Sequence, residues 1–261
     1  MTSSENTSEK NLKNPINYKI IALIVVIGTI HYYAMLEEDG SQIYPTDIFY
    51  VITILLCGVM SIVVAIHYKG SEIFTKAYFF LGIGFFSWFV AEILWLYNIF
   101  VLNIDPYPSW ADPFYFAYYV LGGIHLYLNT KFFKKSWNSK IKAWLIGFPI
   151  IVTVAYIGFA YSVWGENDEL TFDLFYGATN VLGITVVFTF AIFGAVIFRQ
   201  SVLGSTWLLL AIGLMILGIA DFWYYLLEVP EEYTLMHPVN AIWPFGFMTV
   251  IYALYLHRKA I

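Results

Sequence analysis

Charged residues and cysteine are scarce in this sequence of 261 residues. Asp, Glu, Lys and Arg together make up 12% of it, about half of the share that is usual in soluble domains. The single cysteine, Cys57, excludes a disulfide framework, a CxxC redox site and a zinc site built on cysteines. The sequence also lacks a P-loop, a GxSxG motif and an HxxxH or HExxH pair. The low share of charged residues, together with the high apolar share described next, excludes a soluble globular enzyme, a disordered chain and a nucleic-acid-binding protein.

Apolar residues, in contrast, make up 60% of the sequence, and aromatic residues make up 20%. A helix needs about 20 mostly apolar residues to cross a bilayer, and eight segments of the sequence meet this requirement. We therefore predict an all-α integral membrane protein with eight transmembrane helices. The predicted spans are Tyr18–Leu36, Asp47–Tyr68, Lys76–Leu102, Pro113–Phe133, Lys142–Trp164, Phe172–Phe198, Ser205–Val229 and Pro238–His257.

The basic residues fall on one side of the membrane if the chain crosses it eight times. All 13 lysine and arginine residues lie near the two termini or near the loops that follow spans two, four and six, whereas the opposite loops hold only acidic charges. Because lysine and arginine are retained in the cytoplasm, we predict a multi-pass protein of the cell membrane with cytoplasmic N- and C-termini. Residues 1–17 are too polar to fold, and we expect a disordered cytoplasmic tail there.

Spans one to four and spans five to eight carry similar short patterns at matching positions. Asp-Ile-Phe-Tyr50 opens span two and Asp-Leu-Phe-Tyr176 opens span six, whereas Ala-Glu92 and Ala-Asp221 lie inside spans three and seven. Each half has an even number of spans, so the two halves share one orientation. We predict two parallel four-helix repeats, with spans three and seven near the axis between them. The predicted units are the repeats at 18–133 and 142–257, a basic cytoplasmic loop at 134–141 and a tail at 258–261.

Glu92 and Asp221 are ionisable residues inside predicted spans, where a charge is costly and usually marks a functional site. Each lies in the outer half of its span. Trp88 and Trp95 share a helical face with Glu92, and Tyr225 shares a face with Asp221. The two acids are therefore candidates for binding a ligand or an ion, or for proton transfer. The alternative is a purely structural role, in which each acid joins helices through hydrogen bonds.

Further polar residues precede spans four and eight on the predicted outer side. Asp112 lies directly before Pro113 and is either a helix cap or a site residue. His237 and Asn240 occupy the matching place before span eight, where Asn240 aligns with Asp112. We expect these side chains to meet the two intramembrane acids at one outward-facing mouth. The five histidines form no metal motif, so no cofactor is predicted, but a metal site built from His31, His237 and the outer carboxylates remains an alternative.

Spans three and four resemble a membrane module that lies N-terminal to GGDEF and EAL domains in bacterial signalling proteins and to some histidine kinases. The resemblance rests on the Trp/Glu helix with Trp88, Glu92 and Trp95, followed by Pro-Ser-Trp-Ala-Asp112-Pro-Phe-Tyr115. It implies an integral membrane sensory region in which Glu92 and Asp112 are motif positions. No output domain follows the last span of this sequence, so we expect a signal to pass to a separate cytoplasmic partner.

The sequence thus predicts a stand-alone sensor or receptor-like module that binds a small ligand or cation between the two repeats. The alternatives are a cation or proton transporter or channel, a structural subunit of a larger membrane complex, and, last, an enzyme that acts on a lipid or isoprenoid. The expected partners are the lipid bilayer and a cytoplasmic signalling protein or other subunits, and nucleic acid is not among them. The residues predicted to bind the ligand are Trp88, Glu92, Trp95, Asp112, Asp221, Tyr225, His237 and Asn240.

Overall fold

The computed structural model describes residues 16–68, 70–104, 106–133, 137–164, 171–199, 201, 204–234 and 236–260. All regular secondary structure in these ranges is helical. The elements are α1 (Tyr18–Met35), α2 (Pro45–His67), α3 (Glu72–Tyr97) with a π-helical extension (Asn98–Leu102), α4 (Asp112–Lys131), α5 (Ser139–Trp164), α6 (Thr171–Phe198), α7 (Gly204–Glu228) and α8 (Val239–Ala260). The predicted disordered tail, except for its last two residues, the first three residues of the predicted basic loop (134–136) and the last residue of the predicted C-terminal tail lie outside the described residues.

Seven of these helices are long and apolar enough to cross a membrane, so the chain is a multi-pass membrane protein. The exception is α4, which has 20 residues but is less apolar than the others. Its polar side chains, such as Tyr118, His125 and Asn129, are buried against neighbouring helices. The lower hydropathy of α4 therefore comes mainly from the side that faces protein.

Polar residues at the helix ends fix where several helices begin. The Asn17 side chain accepts a hydrogen bond from the Lys19 backbone N–H, which caps α1. At α2, Pro45 occupies the first turn, and the Asp47 carboxylate accepts the Tyr44 backbone N–H at 2.9 Å. These interactions satisfy backbone donors that have no partner within the helix. Because these polar residues and Pro45 can be recognised in the sequence, the predicted span boundaries differ from the observed helix ends by only a few residues.

Six of the helices form a closed ring. The order of packing around it is α2, α3, α4, α6, α7 and α8, and α8 returns to pack against α2. The other two helices lie outside the ring, because α1 packs mainly on α8 and α5 packs mainly on α6. As a result, α3 and α7, which carry Glu92 and Asp221, lie on opposite sides of the ring.

A cluster of aromatic side chains fills the bundle near the first turns of α3 and α7, which follow loops with basic residues. The indole of Trp207 is stacked on Phe198, with ring centroids 4.2 Å apart, and lies near the rings of His125 and His257. Tyr78 lies between the two histidines and its hydroxyl group is within 3.3 Å of both ring nitrogens of His257. All five side chains are at most 4% exposed, so this cluster closes the bundle at that end.

Candidate ligand-binding cavity

A cavity of about 470 Å³ opens at the opposite end of the bundle. Residues of three connecting segments line its mouth, including Gln42 between α1 and α2, Pro106 between α3 and α4, and Glu231 between α7 and α8. The cavity extends inward between the ring helices as far as Trp88 and Asp221. Its volume lies within the usual range of small-molecule sites, about 300–1,000 Å³.

Most of the side chains predicted to bind a ligand lie together in this cavity. One of them is elsewhere: the His237 ring packs edge-on against Trp223, with centroids 5.3 Å apart, and its Nδ1 lies 3.2 Å from the Val239 backbone N–H, which donates to it. His31, in contrast, lines the cavity although it was not among the predicted ligand-binding residues. The predicted residues that line the cavity are Trp88, Glu92, Trp95, Asp112, Asp221, Tyr225 and Asn240.

The carboxyl group of Glu92 accepts hydrogen bonds from three different helices. The Trp88 indole N–H, one turn earlier on α3, donates to Oε1 at 3.0 Å. The hydroxyl of Tyr50 on α2 donates to the same oxygen at 3.4 Å, and the hydroxyl of Tyr115 on α4 also donates to this carboxyl group. Glu92 is therefore held in one orientation at the wall of the cavity, between α2 and α4.

Asp221 on α7 has a similar setting but is incompletely paired. The indole N–H of Trp243 on α8 donates to Oδ1 at 2.6 Å, and the Tyr119 hydroxyl lies against the same carboxyl group. The second oxygen, Oδ2, is buried and has no hydrogen-bond partner among the residues that the structure describes. A buried polar atom without a partner costs free energy unless a ligand or water supplies one.

Two aromatic rings connect the surroundings of the two acids. Tyr50, which donates to Glu92, lies edge-on to Trp243, which donates to Asp221, and their centroids are 6.5 Å apart. Both rings line the cavity. The two carboxyl groups therefore face one shared space from opposite helices of the ring, and a bound molecule can contact both sides.

Asp112 at the start of α4 joins two parts of the cavity wall. Its Oδ2 accepts the Ser109 backbone N–H at 2.7 Å, and its Oδ1 accepts the hydroxyl of Tyr176 on α6 at 2.9 Å. Asp112 is the first residue of α4, and its carboxylate ties the preceding loop to α6 and makes no capping hydrogen bond to the backbone of α4, so the predicted cap is not observed.

We expect Asp112→Ala to lower the free energy of unfolding by about 1–3 kcal/mol, the range for losing two intramolecular hydrogen bonds. The loss arises because the Ser109 N–H and the Tyr176 hydroxyl both lose their acceptor. Thermal melting of the reconstituted protein measures the change. Tyr176→Phe serves as a control, since it removes only the second of these bonds and should cost less than Asp112→Ala. An equal cost for both variants would show that the Ser109 bond contributes nothing.

The rim of the mouth is acidic, and its groups titrate unusually. Hydrogen bonds from Tyr44 and Ser41 lower the pKa of Asp39 to about 2, so this carboxylate keeps its charge at any ordinary pH. Burial raises the pKa of the Glu38 carboxyl group, which also accepts a hydrogen bond from Thr46. Burial, together with the bond that it donates to Asp173, raises the pKa of the Tyr107 hydroxyl. The rim therefore presents carboxylates and neutral phenols to a molecule that enters.

Comparison with known proteins identifies no relative. No protein-family model matches the chain, and neither a curated protein nor a solved structure matches it. The cavity must therefore be interpreted from its own chemistry.

Sequence reasoning missed the tyrosines of the cavity. Tyr115 contacts Glu92 and Tyr119 contacts Asp221, although neither was among the predicted ligand-binding residues. One sequence signal was available, because Tyr50 and Tyr176 end the two matching Asp-x-Phe-Tyr patterns and both line the cavity. In the described part of the chain, no group of three or more His, Cys, Asp or Glu side chains is arranged to hold a metal ion.

Proposed function

We propose that this protein is a membrane sensor that binds a small ligand from outside the cell and signals to a cytoplasmic partner. The observation that carries the proposal is the shared cavity, into which carboxyl groups project from opposite sides of the ring. A cavity of this size, with a few convergent polar groups on an otherwise aromatic wall, is typical of a binding site. The resemblance of spans three and four to bacterial sensory modules supports the same function.

Eight spans with both termini in the cytoplasm are part of this proposal. The burial of the polar side of α4 supports a fourth span, because these side chains are shielded by protein. The segregation of lysine and arginine then supports an outward-facing cavity, since its rim lies at the end that carries only acidic charges.

The internal repeat is also proposed, and the contacts around the ring support it. In the proposed repeat, α2, α3 and α4 of the first half correspond to α6, α7 and α8 of the second half, and α6 corresponds back to α2. The packing pairs α2–α3, α3–α4 and α4–α6 then correspond to α6–α7, α7–α8 and α8–α2, and all six pairs occur. The acids have equivalent donors as well, because Tyr115 on α4 donates to Glu92 and Trp243 on α8 donates to Asp221. Tyr115 and Trp243 each lie three residues after the aligned pair Asp112 and Asn240.

A sensor is favoured over a transporter by the floor of the cavity. Below Trp88 lie Phe85 and Phe247, both fully buried, and the Phe247 ring meets Trp88 edge-on with centroids 4.9 Å apart. A transport path would have to pass these apolar rings. We propose instead that a ligand draws opposite sides of the ring together. By binding this conformation more tightly, the ligand increases its population and so changes the conformation of the cytoplasmic loops.

The double variant Glu92→Gln/Asp221→Asn tests this proposal. We expect the low-molecular-mass fraction of a cell extract to raise the melting temperature of the wild-type protein in nanodiscs, because a ligand that binds only the folded state stabilises it, by about 2.7 kcal/mol at a 100-fold excess over Kd. The double variant should lose most of this increase, since the two acids on α3 and α7 that face each other across the cavity become amides.

Glu37→Gln is the matched control, because it removes one exposed acidic charge at the same end of the bundle but outside the cavity lining. It should keep the full increase in melting temperature. If no extract fraction changes the melting of the wild-type protein, the sensor proposal is rejected. If the double variant responds as the wild-type protein does, binding takes place outside this cavity and the proposal fails in its present form.

A further inference from the structure

The described lining of the cavity has a strongly one-sided charge. It contains no lysine or arginine, and His31 is its only basic side chain. The loops at this end of the bundle, which follow spans one, three, five and seven, also contain no lysine or arginine in the sequence. An anionic ligand would therefore meet uncompensated repulsion, whereas a cation would be attracted. The acidic lining residues are Glu38, Asp47, Glu92, Asp112, Asp173, Asp221, Glu228 and Glu231.

The second feature of the lining is its wealth of tyrosine and tryptophan. Several of the hydroxyl and indole N–H groups are already engaged, since Tyr50, Trp88 and Tyr115 donate to Glu92, and Trp243 donates to Asp221. Ring faces, whose electron density attracts cations, remain as contact surface for a ligand. Ten tyrosines and four tryptophans are among the described residues that line the cavity.

The third feature is the unpartnered oxygen of Asp221. The side chain is 5% exposed, it lines the cavity, and its Oδ2 has no hydrogen-bond partner within the described ranges. A buried carboxylate is stable only when it is paired with a cation or with hydrogen-bond donors. Because no lysine or arginine lines the described cavity, a cation that enters it would supply the charge that pairs with this carboxylate.

These three features together distinguish an organic cation from a metal ion. A metal ion needs several oxygen or nitrogen ligands at about 2–2.6 Å, and the described residues contain no such group. A bulky cation with apolar substituents instead matches a large cavity with aromatic walls and a carboxylate at its inner end.

We propose that the ligand of this cavity is an organic cation, a substituted amine or a quaternary ammonium compound. This inference rests on the proposed function, because it names the class of ligand that the sensor would recognise. Asp221 pairs with the cationic centre, Glu92 contributes a second negative charge across the cavity, and the surrounding rings contact the substituents of the cation.

The test compares a cation with an uncharged molecule of the same shape. Choline and benzyltrimethylammonium are the cationic probes, and 3,3-dimethyl-1-butanol, in which carbon replaces the ammonium nitrogen of choline, is the neutral one. Binding to the full chain in nanodiscs is followed by calorimetry and by tryptophan fluorescence, with empty nanodiscs as the blank. Four lining tryptophans report on occupancy of the cavity: Trp88, Trp95, Trp164 and Trp243.

We expect saturable binding of at least one cation, with an affinity at least tenfold above that of any binding by the neutral alcohol. Asp221→Asn should weaken binding of the cation by tenfold or more and leave binding of the alcohol unchanged, because the amide can still accept the Trp243 N–H but carries no charge. The comparison of probes on the wild-type protein needs no variant, so it stands even if Asp221→Asn does not fold.

Two results would overturn the inference. Equal affinity for choline and the neutral alcohol would show that the cavity selects shape and apolar surface without regard to charge. Absence of cation binding under conditions where the extract fraction still raises the melting temperature would leave the sensor proposal standing and exclude this ligand class. Failure of the extract experiment, by contrast, rejects the sensor itself.

Discussion

Replacement of Trp207 with alanine is expected to lower the free energy of unfolding by about 3–5 kcal/mol, the range for deleting a large buried aromatic side chain. Trp207 is 1% exposed, and its ring is almost parallel to Phe198, with an interplanar angle of 4°. It also contacts His125 and His257, so the truncation removes packing from α4, α6 and α8 at once. Such a void loses dispersion contacts that neither lipid nor water replaces.

The same substitution at Trp110 is the matched control, because that side chain is 83% exposed in the loop before α4. Trp110→Ala should change the free energy of unfolding by less than about 0.5 kcal/mol, as is usual for surface positions. Denaturant titration of both variants in the same lipid or detergent measures the difference. Similar losses at the two positions would mean that the ring cluster does not hold the bundle together.

Gly213→Leu is expected to have the next largest effect on stability, about 1–3 kcal/mol or more, because it overpacks the contact between α7 and α8. A Cβ atom at Gly213 would lie 2.7 Å from Cγ2 of Val250 and 3.0 Å from the Val250 backbone nitrogen. On the facing helix, a Cβ atom at Gly246 would lie 2.6 Å from the Leu217 side chain. Small residues let membrane helices approach closely, and here the approach involves backbone atoms that cannot move aside.

Gly147→Leu on α5 provides the comparison, because a Cβ atom there has no described atom within 4 Å. Leucine is also a better helix former than glycine, so this control should be neutral or slightly stabilising. Melting temperatures of the two variants, measured in the same lipid, give the contrast. If Gly213→Leu melts at the same temperature as the wild-type protein, α7 and α8 do not need this close approach.

The helices could be predicted closely from the sequence, because the length of an apolar segment and the polar residues at its ends are local features. The predicted span Ser205–Val229 differs by one residue at each end from the observed helix, Gly204–Glu228. The membrane character of the chain is confirmed for seven helices. For α4, hydropathy alone is ambiguous, since it does not tell whether polar side chains face protein or lipid.

The site could be predicted only in part. Glu92 and Asp221 were identifiable because a carboxylic acid inside a span is costly wherever it points. The roles of Tyr115 and Tyr119 were not, because a tyrosine in a span can equally pack, lie at the interface or donate a hydrogen bond. The sequence also placed His237 at the mouth, but only the observed turn after α7 reveals that its ring packs against Trp223.

The position of α1 has a consequence for how the protein is made. Its main partner is α8, through the hydrogen bond from the Asn17 backbone N–H to the Tyr252 hydroxyl and through the Phe245 ring against Gly28. Synthesis proceeds from the N-terminus, so α1 leaves the ribosome before α8 and must remain undocked from it in the lipid until α8 has been inserted. A ribosome-stalled chain that lacks α8 should therefore leave α1 open to crosslinking by translocon components, and release of α8 should end that exposure.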